Sequence, residues 1–178
     1  MPEPASPTAS RTRVEPGALR ACLSRFATGV AVVTFAGPEG PRGVTMNSFT
    51  SVSADPPLVL VSVAKRARCH EPLAGGAAFC VNVLGAEQEA LARRFAGSAA
   101  AGEAGSGPGW AAGAGVPRLA SPLAWVECAP WSRCDGGDHT LVLGLVTALG
   151  HRDGDALGYH RSRFGTIPEA GEGIEYLI

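Results

Sequence analysis

Short apolar runs rich in β-branched residues alternate along the chain with clusters of glycine, proline and aspartate. Runs of this kind, bounded by turn residues, are typical of β-strands. Many strands in one small domain indicate a barrel or a sandwich. The predicted strands are Val30–Phe35, Ser48–Val52, Leu58–Val63, Ala78–Val83, Trp125–Arg133, His139–Leu149 and Gly158–Phe164.

Three segments carry helical patterns instead. After Pro16, apolar residues recur at the spacing of one helix face, which predicts a short amphipathic helix. Further helices are predicted around Cys69–Ala74 and at Glu87–Phe95, where good helix formers dominate. We expect the latter two helices to lie outside the sheet. The apolar residues of the first helix are Leu19, Cys22, Leu23 and Phe26.

Turn and low-complexity segments divide the rest of the chain. The cluster Asp135-Gly136-Gly137-Asp138 predicts a hairpin that pairs the strands on either side of it. Residues 1–16 are predicted to be a disordered tail, and residues 17–178 to form one domain. The stretch Gly97–Pro117, almost all Ala, Gly and Ser around Trp110, predicts a long mobile loop, either a tolerated insertion or a lid over a ligand.

Charge and cysteine usage narrow the classes of function. The 15 basic and 16 acidic side chains give a formal net charge of −1 without a basic block, so no nucleic-acid partner is expected. No apolar run approaches the length of a membrane span, so no membrane association is expected. The five cysteines form no C-x-x-C pair, which argues against a disulfide framework and favours a cytoplasmic location.

The segment Thr45–Ser53 concentrates hydroxyl and amide groups that can hydrogen-bond a polar ligand. Strand alternation would point Thr45, Asn47 and Phe49 to one face and the intervening residues to the other. Taken alone, the same segment would rather indicate a polar edge strand that faces solvent.

A second candidate is the turn Ala64–Arg68, where Lys65, Arg66 and Arg68 lie between a predicted strand and a short helix. Cations and backbone N–H groups that converge at such a turn form a plausible phosphate site. Arg93 and Arg94 on the later helix would face either a phosphate or solvent. Solvated surface cations are the plain alternative for both groups.

The third candidate is Gly137-Asp138-His139-Thr140, where an imidazole at a strand end can reach a ligand and a carboxylate can orient donors. An exposed histidine without a role is the alternative, and His160 is similarly ambiguous. The sequence has no dinucleotide-binding glycine motif, P-loop, zincin or hydrolase motif. With four scattered histidines, no metal site is expected.

Taken in order, several segments resemble the flavin reductase family of the FMN-binding split barrel. The similarity covers the chain from about residue 17 to about residue 164 and is closest to reductase components of two-component flavin-dependent monooxygenases. The segments are Arg25–Val30, Thr45–Ser53, Asp55–Val59, Phe79–Leu84, Leu91–Phe95, Gly137–Thr140 and Tyr159–Arg161.

This resemblance implies a mainly β fold, a Greek-key split barrel with a few peripheral helices, assembled as a homodimer. It implies FMN or FAD near the subunit interface, NADH or NADPH stacked on the flavin, and a partner monooxygenase that receives the reduced flavin. By resemblance, His139 places the nicotinamide at the reacting centre. The cofactor-binding residues it implies are Thr28, Thr45, Met46, Asn47, Ser48, Ser51, Ser53, Ala64, Lys65, Arg66, Asn82, Arg93, Gly137, Asp138 and Tyr159.

Within this resemblance, Thr45 to Ser48 would contact the isoalloxazine and ribityl chain, and Ala64 to Arg66 the phosphate end. The phosphate turn departs from the family, whose members often carry Ser or Thr there, so charge-assisted contacts would replace hydroxyl contacts. Two alternatives remain at this point. One is a split-barrel protein that binds flavin without turnover, and the other is an oxidase of the pyridoxamine-phosphate type on the same fold.

Overall fold

The computed structural model describes residues 14–97, 109–111 and 115–169. These residues form ten strands and three helices, with a 3₁₀ turn at Ala86–Gln88 before the last helix. The helices are α1 (Pro16–Leu23), α2 (His70–Ala74) and α3 (Glu89–Ala96). The strands are β1 (Thr28–Gly29), β2 (Ala31–Gly37), β3 (Gly40–Met46), β4 (Thr50–Ala54), β5 (Pro57–Ala64), β6 (Phe79–Val83), β7 (Ala124–Gly136), β8 (His139–His151), β9 (Ala156–His160) and β10 (Arg163–Ile167).

The main sheet contains seven antiparallel strands in the order β3-β2-β6-β7-β8-β5-β4. Its two edges, β3 and β4, are consecutive in the chain and are joined by Asn47–Phe49 alone. A flat sheet would separate these edges by about 29 Å, since neighbouring strands lie about 4.8 Å apart. The link spans at most about 15 Å. The sheet must therefore curl until its edges face each other.

The hairpin between β7 and β8 closes through Gly137 and Asp138, with Gly136 paired to His139. Gly137 has a φ of +80°, the conformation that the first position of a two-residue type II′ turn requires. This confirms the hairpin predicted from the Asp-Gly-Gly-Asp cluster. A separate three-stranded sheet, in the order β1-β9-β10, packs beside the main sheet.

Six of the seven predicted strands are present, most of them within a few residues of their predicted limits. The segment predicted as Ser48–Val52 begins instead at Thr50, because the chain leaves the sheet between β3 and β4. Continuous alternation through Thr45–Ser53 was therefore wrong. The predicted strand Gly158–Phe164 is a hairpin, turning at Arg161 and Ser162, which adopt φ values of +49° and +62°.

Two strands were missed: the two-residue β1 and the longer β3. β3 contains two glycines and a proline and has no apolar alternation, so no strand pattern was visible. It forms because it is an edge strand, where proline is tolerated, and because β2 supplies a full antiparallel partner.

The helix α1 begins at Pro16 as predicted but ends at Leu23, so Phe26 lies beyond it. The apolar face does not pack against the sheet: α1 has no buried residue. Leu19, Leu23 and Phe26 are 48%, 62% and 76% exposed. The pattern predicted the helix correctly, and its apolar face is left uncovered within one chain.

The core has two parts. The larger cluster fills the curled sheet and includes Val33, Val61, Phe79 and Val81. The smaller cluster, with Val32, Leu84, Phe95 and Leu157, holds α3 and the small sheet against β2. Alternate residues of β2 thus contact different clusters, as the two faces of a strand require.

Asn82 lies on β6 and is fully buried. Its Nδ2 donates to the Val32 carbonyl at 2.9 Å and to Thr34 Oγ1 at 3.0 Å, and its Oδ1 accepts from the Leu119 N–H at 2.9 Å. Thr34 Oγ1 in turn donates to the Pro117 carbonyl. One amide side chain therefore attaches the segment after residue 115 to the sheet.

Much of the Gly97–Pro117 loop and most of the predicted N-terminal tail lie outside the described residues. Within the described part, the Ala111 N–H donates to the Arg118 carbonyl, and the Trp110 ring meets Phe95 edge-on at 6.4 Å. The base of this segment is therefore packed against α3. The described portion of the chain contains no helix long and apolar enough to cross a membrane.

We expect Asn82→Ala to lower the free energy of unfolding by about 2 to 4 kcal/mol, because it leaves buried N–H and C=O groups without partners. Urea unfolding measures the effect. Thr147→Ala is the control, since it removes an exposed hydrogen bond from the Thr147 hydroxyl to the Glu127 carbonyl. Its loss of unfolding free energy should be well under half that of Asn82→Ala. Equal stabilities of Asn82→Ala and wild type would contradict the role assigned to Asn82.

Candidate functional site

The link between the two sheet edges, which we call the seam (Thr45–Thr50), is held on both sides by hydroxyl groups. Thr45 Oγ1 donates to the Ala92 carbonyl of α3 at 2.7 Å. Ser48 Oγ donates to the Ser62 carbonyl of β5 at 3.0 Å and accepts from the Ser62 N–H at 3.2 Å. The seam is thereby tied to α3 on one side and to β5 on the other.

Ser48 extends the β4–β5 ladder beyond its last backbone pair. Thr50 pairs with Leu60, so the same register, continued by two residues, would place residue 48 opposite Ser62. The chain has left the strand there, and the Ser48 hydroxyl replaces the missing backbone groups. Asn47, next to it, is exposed, so its amide is available to a ligand.

The predicted phosphate turn and the Gly-Asp-His segment are brought together at one end of the main sheet. Ala64 pairs with His139 across β5 and β8. The Lys65 N–H donates to the Asp138 carbonyl at 2.9 Å, and Lys65 Nζ forms an ion pair with Asp135. Two segments about 70 residues apart therefore form one surface that carries cations, carboxylates and an imidazole.

The backbone of this turn offers fewer free donors than its sequence predicted. The Lys65 amide is used by Asp138, and the Ala67 N–H donates to the Ala64 carbonyl at 2.9 Å. The helix that follows the turn, α2, is only five residues long, so its N-terminus adds little to a phosphate site. Convergence of backbone N–H groups on a phosphate was therefore wrong for these two amides, and the side chains of Lys65 and Arg66 remain as donors.

A hydrogen bond between Asp138 and His139 orients the imidazole ring. Asp138 Oδ1 lies 2.7 Å from His139 Nδ1. The hydrogen bond and charge of His139 lower the pKa of Asp138 below its ordinary value, so this carboxylate is ionised and can only accept. His139 Nδ1 therefore donates to this carboxylate, and in the neutral tautomer of the ring Nε2 is an acceptor.

A third group of predicted residues lies on the small sheet and α3. Thr28 pairs with Tyr159 across β1 and β9, and the Tyr159 ring lies 5.3 Å from that of Phe164. Arg93 places its guanidinium 5.0 Å from the Phe164 ring centre and pairs with Glu89. Among the described side chains, Thr28 Oγ1 is the buried polar atom without a hydrogen-bond partner.

A cavity of about 600 Å³ adjoins the phosphate turn, between the β2–β3 hairpin and the end of α3. Its lining includes three arginines, one glutamate and two phenylalanines: Arg42, Arg66, Arg68, Glu71, Phe35 and Phe95. Its size is within the range of small-molecule and cofactor sites. Positive charge next to apolar walls suits a ligand with a phosphate and a flat ring system.

Comparison with known proteins decides the family. The model of the flavin reductase like domain matches residues 23–168. The chain belongs to this family.

Individual relatives extend this result. The FMN reductase (NADH) SmoA of Agrobacterium fabrum is 44% identical over 147 residues, which cover 82% of this chain and 83% of that protein. The NADH-dependent FAD reductase of Streptomyces globisporus is 42% identical over 167 residues, covering 87% and 88%. BorF, the flavin reductase component of a bacterial two-component tryptophan halogenase, matches with a TM-score of 0.80 at 42% identity, covering 88% of this chain and 100% of that one.

These likenesses confirm the predicted fold class, mainly β with few helices. The main sheet is split and does not close, because β3 and β4 are not hydrogen-bonded to each other.

The structure places most, but not all, of the predicted site residues in connected groups. The seam contains Thr45, Met46, Asn47 and Ser48, and β4 continues from it with Ser51 and Ser53 on an exposed edge. Met46 packs against the larger core cluster. The turn group contains Ala64, Lys65, Arg66, Gly137, Asp138 and His139, and the small-sheet group contains Thr28, Arg93 and Tyr159.

Asn82 lies apart from these groups, buried and bonded within the protein. We do not retain it as a ligand contact. Sequence reasoning missed Arg42 and Asp135: Arg42 belongs to the unrecognised strand β3, and Asp135 had been considered only as a turn residue. It also missed His70, whose Nε2 lies 2.8 Å from Thr140 Oγ1, which fixes α2 beside His139.

We expect Ser48→Ala to lower the free energy of unfolding by about 1 to 2 kcal/mol, because it deletes both hydrogen bonds to Ser62. It should also weaken binding of added FMN, measured by flavin fluorescence, because the seam is released from β5. Ser132→Ala, an exposed hydroxyl on β7, is the control. Unchanged stability and FMN binding in Ser48→Ala would show that the seam does not depend on this contact.

Proposed function

We propose that this chain is an NADH-dependent flavin reductase that reduces FMN or FAD and supplies the reduced flavin to a partner monooxygenase. The observation that carries the proposal is the docking of the Gly137–His139 hairpin on the Lys65–Arg66 turn, beside the Ser48 seam. Three segments from distant parts of the sequence thus offer an imidazole acceptor, cations and an exposed amide. Family membership and the names of the relatives, NADH-dependent reductases of FMN or FAD, support the same assignment.

The described residues fit a bound flavin nucleotide. Thr28 Oγ1 is a buried hydroxyl without a partner, which a ligand or a second subunit would satisfy. The arginine-lined cavity next to Lys65 and Arg66 suits a phosphate. When bound, the reduced nicotinamide donates a hydride to the flavin, so the chemistry belongs to the cofactors and the protein supplies binding and orientation.

Each group of residues has its own task in this proposal. Asn47 donates to the ring edge that gains negative charge, and Lys65 and Arg66 hold the phosphate. Asp138 fixes the His139 ring so that Nε2 accepts from the nicotinamide carboxamide. His139 therefore acts as an orienting residue and transfers no obligatory proton, because hydride transfer to flavin requires none from the protein.

The assay that tests the proposal crosses FMN, FAD and riboflavin with NADH and NADPH. We expect NADH oxidation that depends on added flavin. A preparation that binds FMN but oxidises neither nucleotide would favour the non-catalytic alternative. Oxidation of an amine substrate without a second protein would favour the oxidase of the pyridoxamine-phosphate type.

We expect His139→Ala to raise the KM for NADH about 5- to 20-fold, the effect of losing one or two hydrogen bonds to the substrate. His151→Ala is the matched control, because His151 is exposed at the opposite end of the same strand, β8. Steady-state kinetics with saturating FMN measures both variants. If His139→Ala retained the wild-type KM and rate of hydride transfer, the orienting role would be wrong.

The proposal includes a homodimer in the cytoplasm, with residues 17–178 acting as one domain. The uncovered apolar side chains of Leu19 and Leu23 on α1, and of Phe26 just after it, support a second subunit at this helix, since such patches mark interaction sites.

We expect sedimentation to give twice the 18.1 kDa chain mass, and a Leu23→Asp, Phe26→Asp variant to shift toward monomer. The charged side chains would have to be buried without partners in the interface, which disfavours association. Wild-type protein that is monomeric at micromolar concentration would contradict the homodimer.

A further inference from the structure

A carboxylate lies opposite the cation that is assigned to the phosphate. Lys65 Nζ forms its ion pair with Asp135 Oδ1, on the far side of the β7–β8 hairpin. We propose that Asp135 competes with the flavin phosphate for Lys65 and thereby sets how readily the flavin leaves. This inference rests on the proposed function and concerns the affinity of the same site.

The backbone fixes the two side chains at one end of the sheet. Asp135 pairs with Thr140 on β8, and His139 beside it pairs with Ala64 on β5. The Lys65 N–H is held by the Asp138 carbonyl at 2.9 Å. Because both side chains start from hydrogen-bonded backbone, the carboxylate is held within reach of Lys65.

The carboxylate remains charged across the neutral pH range. The hydrogen bond and the charge of Lys65 lower the pKa of Asp135 below its ordinary value. The side chains of Lys65 and Asp135 are 45% and 75% exposed. Exposed ion pairs are weak, so a phosphate carrying about −1.5 to −2 charges can displace Asp135 from Lys65.

Displacement has a consequence for ligand choice. A flavin with a phosphate must break the Lys65–Asp135 pair and then lies near an unpaired carboxylate, whereas riboflavin disturbs neither group. Asp135 therefore weakens FMN binding and leaves riboflavin binding unaffected. Such weakening suits a reductase that has to release its product to another protein.

The test is Asp135→Asn, which keeps the shape of the side chain and removes its charge. We expect FMN to bind about two- to fivefold tighter and to dissociate correspondingly more slowly, the range that exposed ion pairs give. Riboflavin binding should not change. Fluorescence titration and stopped-flow displacement of both flavins measure these quantities in the full-length protein.

Two comparisons make the test specific. Glu87→Gln removes a carboxylate from another exposed ion pair, with Arg152, and controls for the change in net charge. In a Lys65→Gln background, the gain in FMN affinity from Asp135→Asn should be smaller than in the wild type, because the competition for Lys65 has been removed and only the repulsion between carboxylate and phosphate remains.

Three results would overturn the inference: unchanged FMN affinity in Asp135→Asn, weaker FMN binding, or equal tightening of FMN and riboflavin. Weaker binding would mean that Asp135 positions Lys65 for the phosphate. The proposed function fails separately, if wild-type protein neither binds any of the flavins nor oxidises NADH. A wild type that is active with FMN and riboflavin while Asp135→Asn is indistinguishable from it rejects the inference alone.

Discussion

The architecture depends on one covalent constraint, the three-residue link between the opposite edges of a seven-stranded sheet. A link of that length obliges the sheet to curl and brings β3 close to β4. It also takes Asn47–Phe49 out of the strands, so the backbone groups of these residues do not pair with a neighbouring strand. Thr45 and Ser48 then fix the seam to α3 and β5 with side-chain hydroxyls. The feature that shapes the fold therefore also creates a polar surface next to both other groups of site residues.

Charge at the turn group is balanced before any ligand arrives. Lys65 forms an ion pair with Asp135, and Asp138 pairs with His139. The charge of Arg66 also helps to lower the pKa of Asp138. An arrangement of this kind orients Lys65 and the imidazole at small cost, since each is held by a carboxylate at the surface. The two core thiols are not suited to act as nucleophiles. Burial raises the pKa of Cys80 and of Cys128 to about 12, which keeps both protonated.

Residues within family-like segments serve the fold as well as the ligand. Asn82 belongs to a segment that resembles the family, yet its amide is fully used by Val32, Thr34 and Leu119. Ser48 contributes its hydroxyl to β5, and Met46 packs against the core. A residue type that recurs in a binding motif can thus be required to position the motif, and only its contacts distinguish the two roles.

The sequence by itself determined the strand-rich class, the β7–β8 hairpin, α2 and α3, because local periodicity and turn chemistry encode these features. It did not determine β3, which lacks an apolar pattern and exists because β2 pairs with it. Nor did it determine that the apolar face of α1 stays uncovered, or that Asp135 meets Lys65. Those outcomes depend on contacts between residues far apart in the chain, and the tertiary structure alone decides them, because hydrogen bonds and ion pairs act over a few ångströms in space.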